Sequence, residues 1–192
     1  MGGYGGSSVI IDGLIQALRR HDHIRTMYLV GDEDAIRPAL DQAGHLAARI
    51  EIVHSPEVLS MEEKPVEGLR RKKNCSIAMA MDLVKQGQAD AILSAGNTGG
   101  LVAAASIKLR TLPGGDRPGI ATVMPTKTGN FVLLDAGANV EGKPRHLMHY
   151  AIMGDIYARE VLGKTRPRVG LLSVGTEAVS YTHLTLPTRD LV

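Results

Sequence analysis

Tryptophan is absent from the 192 residues, and one phenylalanine and five tyrosines are the only other large aromatic side chains. The stacking platforms that hold single-stranded nucleic acid are therefore missing. Charge does not replace them: 22 Lys and Arg against 20 Asp and Glu leave a net +2, too balanced for the broad positive field of sequence-independent nucleic-acid binding. No nucleic-acid partner is expected. The single cysteine, Cys75, can build neither an internal disulfide nor a Cys-rich zinc site, which fits a reducing compartment. No apolar run approaches the ~18 to 20 residues of a bilayer-crossing helix. The start, Met1 to Gly6, has neither the basic nor the apolar segment of a secretory signal. These absences make the cytosol the expected location.

Glycine is what the chain has in excess, with 22 residues against a usual share of ~7%, and many follow short apolar runs. The pattern reads as one α/β unit. Helical spacing runs from Val9 through Ile10, Leu14 and Ala17 to Leu18 after the capping residues Ser7 and Ser8, from Asp34 to Ala43 before Gly44, from Ser76 to Gln86, from Leu101 to Leu109, and from Pro144 to Leu162. On that last helix Leu147, Ala151, Ile152, Ile156 and Tyr157 are expected to face inward. Strands are expected at 27–30, 50–54, 91–93 and 169–174, and a close pair at 120–124 and 130–134. Strands alternating with helices argue a mostly parallel sheet between helix layers. The glycine loop at 2–6 opens a helix with no strand before it, so a first strand is expected upstream. The stretch Ser180 to Thr188 looks like read-through of a sequencing adapter, so 178–192 are expected to be non-native.

Ligands of parallel sheets gather outside the carboxyl ends of the strands, where glycine admits a close backbone and helix N-termini offer free N–H groups to anions. Three loops qualify: Ser94-Ala95-Gly96-Asn97-Thr98-Gly99-Gly100, Asp135-Ala136-Gly137-Ala138-Asn139, and Ser173-Val174-Gly175-Thr176-Glu177. The first could hold phosphate without a Walker lysine; an ordinary turn capped by Asn97 or Thr98 is the alternative. The run Arg70-Arg71-Lys72-Lys73 is either a solvated face or an attractor of phosphate or an acidic protein. His146 and His149 stand three apart on a helix but without an HExxH pattern or a carboxylate cluster, and no metal is expected. His21 and His23 read as surface residues, Cys75 as a small buried side chain, and Met79, Met81, Met148 and Met153 as core filler.

Met1-Gly2-Gly3, Glu63-Lys64-Pro65, Leu69-Arg70-Arg71-Lys72, Ser94 to Gly99, Pro125-Thr126, Leu134-Asp135 with Gly137-Ala138-Asn139, and Lys143-Pro144 with His146-Leu147 follow the order and spacing of a known family. Over residues 1–177 the chain resembles bacterial phosphate acyltransferases, which convert acyl-carrier-protein thioesters and inorganic phosphate to acyl phosphates for phospholipid synthesis. The resemblance implies a Rossmann-like three-layer αβα sandwich of the isocitrate and isopropylmalate dehydrogenase type, incomplete here, with a strand before Met1 and a long portion after Glu177. It implies no cofactor. The implied partners are acyl carrier protein, a second subunit, the inner face of the membrane, and an acyl-phosphate-using glycerol-3-phosphate acyltransferase. Tyr4 stands where the family has an aspartate, and Arg145 and Thr176 where it has glutamates, so no carboxylate role is carried to those positions.

For this reaction the resemblance points to Lys143, His146 and Asn97 as catalytic groups. Ser94, Gly96, Asn97, Thr98, Gly99, Thr126, Asp135 and Asn139 are the expected phosphate and substrate contacts, with Lys64, Arg71 and Lys72 behind them. Two other readings stand beside it: a phosphotransacetylase-like enzyme using acyl-CoA, and a non-catalytic fragment that only docks carrier protein.

Overall fold

The computed structural model describes residues 6–137 and 143–172, the side chains of residues 41 and 42 excepted. It divides into two compact units, Met1–Arg110 and Thr111–Val192. The architecture is mixed α/β. Among the described residues the sheet is less extensive than expected, with one parallel pair and one antiparallel pair. No helix among them is long and apolar enough to cross a membrane.

In the first unit, α1 (Gly6–Arg20) buries Ile11, Leu14, Ile15 and Leu18, a stripe at i, i+3, i+4 and i+7. Leu14 and Leu18 are buried as expected, but Ile11 and Ile15 complete the face in place of Val9, Ile10 and Ala17, and Val9 is exposed. Strand β1 (Met27–Gly31) pairs in parallel with β2 (Ile50–His54), as parallel strands must, across a helical connection. That connection is α2 (Glu33–Leu40) followed by a 3-10 segment, Asp41–Arg49. Gly44, at φ 55 and ψ −128, breaks the segment in a conformation a Cβ would strain. Leu29 and Ile36 join the α1 stripe in one core. Arg49 ties the end of α1 to this layer: its guanidinium donates to the carbonyls of Leu18, His21 and Ile24 at 3.0–3.1 Å.

The remaining helices of this unit are α3 (Pro65–Arg71), α4 (Ser76–Lys85) and α5 (Thr98–Lys108). Leu59, Cys75, Ile77, Ala78, Met81 and Ala104 form a second core. The expected strand at 91–93 is not formed. A strand exists only through a paired neighbour, and no described segment pairs with this one; Ile92 packs against the second core while Leu93 is 96% exposed.

In the second unit β3 (Thr122–Thr126) and β4 (Gly129–Leu133) form an antiparallel hairpin through the two-residue turn Lys127-Thr128. Helix α6 (Pro144–Glu160) buries His146, Tyr150 and Ala158. Ile152 and Ile156 are about half exposed, as is Met148, so the buried face of α6 follows its polar residues rather than its branched apolar ones. Of the methionines expected in cores, only Met81 is fully buried. Residues 169–172 of the last expected strand are unpaired, and 173–174 lie outside the described residues.

Candidate functional site

Asn97 is buried at the N-terminus of α5 and is its cap. Its Oδ1 accepts the Gly100 N–H at 2.8 Å, and its Nδ2 donates to the carbonyls of Ser60 at 2.9 Å and Glu63 at 3.2 Å. Both faces of the amide are thus committed to backbone. The residue fastens the 60–63 turn to the start of α5 instead of presenting its side chain to solvent. The capping signal Asn-x-x-Gly explains this placement, because a side-chain acceptor at the cap satisfies one of the helix's orphan N–H groups. The N–H groups of Thr98 and Gly99, in the first turn, have no intrahelical partner by position, and both residues are exposed. Ser94 Oγ accepts the Gly96 N–H at 3.2 Å and tightens the loop in front of them.

Small residues set how closely these elements meet. A Cβ on Gly68 of α3 or on Gly100 of α5 would sit 2.3 Å from a Leu59 methyl, and one on Gly99 would lie 2.7 Å from the Pro65 ring. The starts of α3 and α5 are therefore side by side, with Leu59, 1% exposed, wedged between the helices. Lys64, just before α3, is largely exposed and 3.4 Å from Glu67.

Glu63 is the residue that sequence reasoning passed over. Its carboxylate accepts the Ser60 N–H and the Lys72 ammonium, each at 2.8 Å, and lies 3.5 Å from Arg71. The hydrogen bond from Lys72, then that from Ser60, holds its carboxyl below the usual glutamate range. Lys72 also donates to the Val58 carbonyl at 2.8 Å. Glutamates ahead of a run of four cations, Glu62, Glu63 and Glu67, were the signal available, but spacing does not say which of them pairs.

In the second unit the loop before β3 is fastened at three points. Asp116 pairs with Arg145 and lies 3.8 Å from His149 Nδ1. The Tyr150 hydroxyl donates to the Pro118 carbonyl at 3.4 Å, and Asp135 Oδ1 accepts the Ile120 N–H at 2.8 Å. Lys143 precedes α6 and is exposed. Its N–H donates to His146 Nδ1 at 3.2 Å. An Nδ1 that accepts a hydrogen bond carries no proton, so the ring is neutral with its proton on Nε2. Burial first, then the Arg117 charge, pushes the His146 pKa below its ordinary value, which favours the same form. Thr126 ends β3 on the exposed hairpin. Asn139 lies outside the described residues.

Of the residues named from sequence, the structure gathers Lys64, Arg71, Lys72 and 94–99 around the starts of α3 and α5. Lys143 and His146 adjoin at the start of α6, and Asp135 accepts from the loop before β3. His146 and His149 share α6, and no group of three or more His, Cys, Asp or Glu suited to a metal is gathered among the described residues.

A family model described as fatty acid synthesis protein matches residues 1–192. A phosphate acyltransferase of Erythrobacter litoralis is 47% identical over 183 residues, covering 95% of this chain and 51% of that protein. One from Akkermansia muciniphila is 45% identical over 192 residues, 100% of this chain and 55% of that protein. One from Desulfitobacterium hafniense is 44% identical over the same length, covering 57% of its own. The chain spans about half the length of the curated relatives it matches.

Proposed function

From the premise that this chain belongs to the fatty acid synthesis protein family, we propose that its parent protein moves a fatty acyl group from acyl carrier protein to inorganic phosphate. A phosphate oxygen attacks the thioester carbonyl, and collapse of the tetrahedral adduct expels the phosphopantetheine thiolate, leaving acyl phosphate. A thiol of pKa about 8.5 leaves without strong acid assistance. The protein's work is then to hold two anionic partners in line and stabilise the oxyanion. No enzyme nucleophile and no cofactor is needed.

The observation that carries this reading is the start of α5, where Asn97 takes up the loop's internal bonds and the exposed Thr98 and Gly99 stand in the first turn, whose N–H groups have no intrahelical partner by position. Phosphate sits there, received by those N–H groups, the Thr98 hydroxyl, Ser94 and Gly96, with Lys64 adding charge. Asn97 acts by positioning that loop; Arg71 and Lys72 act by holding Glu63 and, with it, the 60–63 turn. His146, through its Nε2–H, and Lys143 are the groups for the oxyanion or leaving thiolate, oriented by Asp135 and Asn139, with Thr126 at the substrate. The parent fold in this reading is a Rossmann-like three-layer sandwich. Residues 1–177 form part of it, and the protein is a cytoplasmic homodimer that touches the membrane. There it hands acyl phosphate to a glycerol-3-phosphate acyltransferase.

The test supplies acyl carrier protein thioester or acyl-CoA, each with and without phosphate, and traps acyl phosphate as hydroxamate. The complete protein forms hydroxamate from carrier-protein thioester only when phosphate is present, and the 192-residue chain alone does not. Preference for acyl-CoA would identify a phosphotransacetylase-like enzyme instead, and binding without thioester loss by the complete protein would leave only a docking module.

A further inference from the structure

The four cations 70–73 do not act together. Arg71 and Lys72 turn to Glu63, whereas Arg70 and Lys73, three residues apart, border an open cavity of about 290 Å³ between α3, α4 and α5. Leu69, Ala104 and Ile107 supply its apolar lining, and Lys108 joins the other two cations at its edge. Lys108 is paired with Asp82 at 2.5 Å. Arg70 and Lys73 have no ion-pair partner among the described residues, and Ile107 is 57% exposed.

We infer that this cavity is the docking point for the acidic acyl-donor protein, whose helix places one apolar side chain against Ile107 and carboxylates against Arg70, Lys73 and Lys108. The inference rests on the acyl-donor reading above and adds where the donor is gripped. Charge complementarity selects this occupant. An apolar segment covering the cavity would strand Arg70 and Lys73 away from water at a cost no burial of Ile107 offsets, while an acidic helix satisfies both and gains an apolar contact. The larger groove of this unit, about 520 Å³, is bordered by Glu33 and Arg37, which pair with each other and present no net sign to a partner.

The full 192-residue chain is titrated calorimetrically with an acidic carrier protein bearing a palmitoyl-phosphopantetheine arm, beside its Arg70→Glu/Lys73→Glu, Ile107→Gln and Arg25→Glu variants, each checked for fold by circular dichroism. Charge reversal at 70 and 73 weakens binding at least ~10-fold, Ile107→Gln weakens it about 3-fold or more, and reversal at the exposed Arg25 changes nothing. Wild-type binding that Arg70→Glu/Lys73→Glu leaves intact overturns the docking site and spares the acyl-donor reading. Loss on charge reversal with none at Ile107→Gln overturns the cavity as the contact. In a parallel titration of the complete parent protein, binding of dodecyl phosphate but not carrier protein, or no binding of either, overturns both.

Discussion

The two units hold their loops by different means. Around the start of α5 the turn at 60–63 is gripped from inside: a buried Asn97, the Glu63 carboxylate, and Leu59 pressed between Gly68 and Gly100. Around α6 the 116–120 loop is held by single polar tethers, through Asp116, Pro118 and Ile120, with Gly119 packed closely against the buried Tyr150 ring, and the hairpin of the same unit exposes Val123, Met124 and Phe131. Close packing leaves few alternative backbone geometries, so the first unit can offer preorganised N–H donors, whereas one exposed ion pair and two single hydrogen bonds are cheaper to rearrange.

The comparison can be broken by substitution. Leu59→Ala removes a side chain buried on all sides and should cost about 2–5 kcal/mol in urea unfolding. Gly100→Ala should cost about 1–3 kcal/mol alone and much less in the Leu59→Ala background, because the added methyl then fills vacated space. Additive penalties would show that the wedge is not what sets the spacing. Asn97→Ala comes next, at about 2–3 kcal/mol, since it loses a cap and leaves the Ser60 and Glu63 carbonyls without their donor. In the second unit, Asp116→Asn should cost less than about 1 kcal/mol, as its partner Arg145 is mostly exposed. A loss there equal to that of Asn97→Ala would erase the distinction between the units.

Acid sharpens the same contrast. His146 is held below its ordinary value of 6.5, so the unfolded chain binds this proton first, and its contribution to stability, present above 6.5, declines as pH falls below it. Glu63, held below its ordinary 4.5, keeps its contribution until pH falls past 4.5. NMR titration should therefore find the second unit loosening first, with the His146 midpoint under 6.5. A midpoint at or above 6.5 would contradict the neutral, Nδ1-accepting ring.

Much of the fold is legible in the chain itself. The apolar runs at 27–30 and 50–54, the helices at 76–86 and 144–162, and the hairpin appear where periodicity puts them, because each is decided within a few residues. Helix α3 escapes that reading because Pro65 looks like an interruption, although proline at the first helical position is a start signal. The segments 91–93 and 169–172 fail for the opposite reason: apolar content prepares a strand, but only a paired neighbour makes one. At the candidate site, glycine spacing marks 94–100 from sequence. The commitment of the Asn97 amide to the 60–63 turn, and the division of 70–73 into two faces, depend on tertiary neighbours that no spacing encodes.

The claim on which the account turns is that the start of α5 receives phosphate through backbone. Amide chemical shifts of the 192-residue chain, followed while inorganic phosphate replaces chloride at constant ionic strength, test it directly. Saturable shifts at Thr98 and Gly99, with those of the β1–β2 region unmoved, are the predicted result; phosphate shifts confined to other residues, or none that saturate, would contradict it.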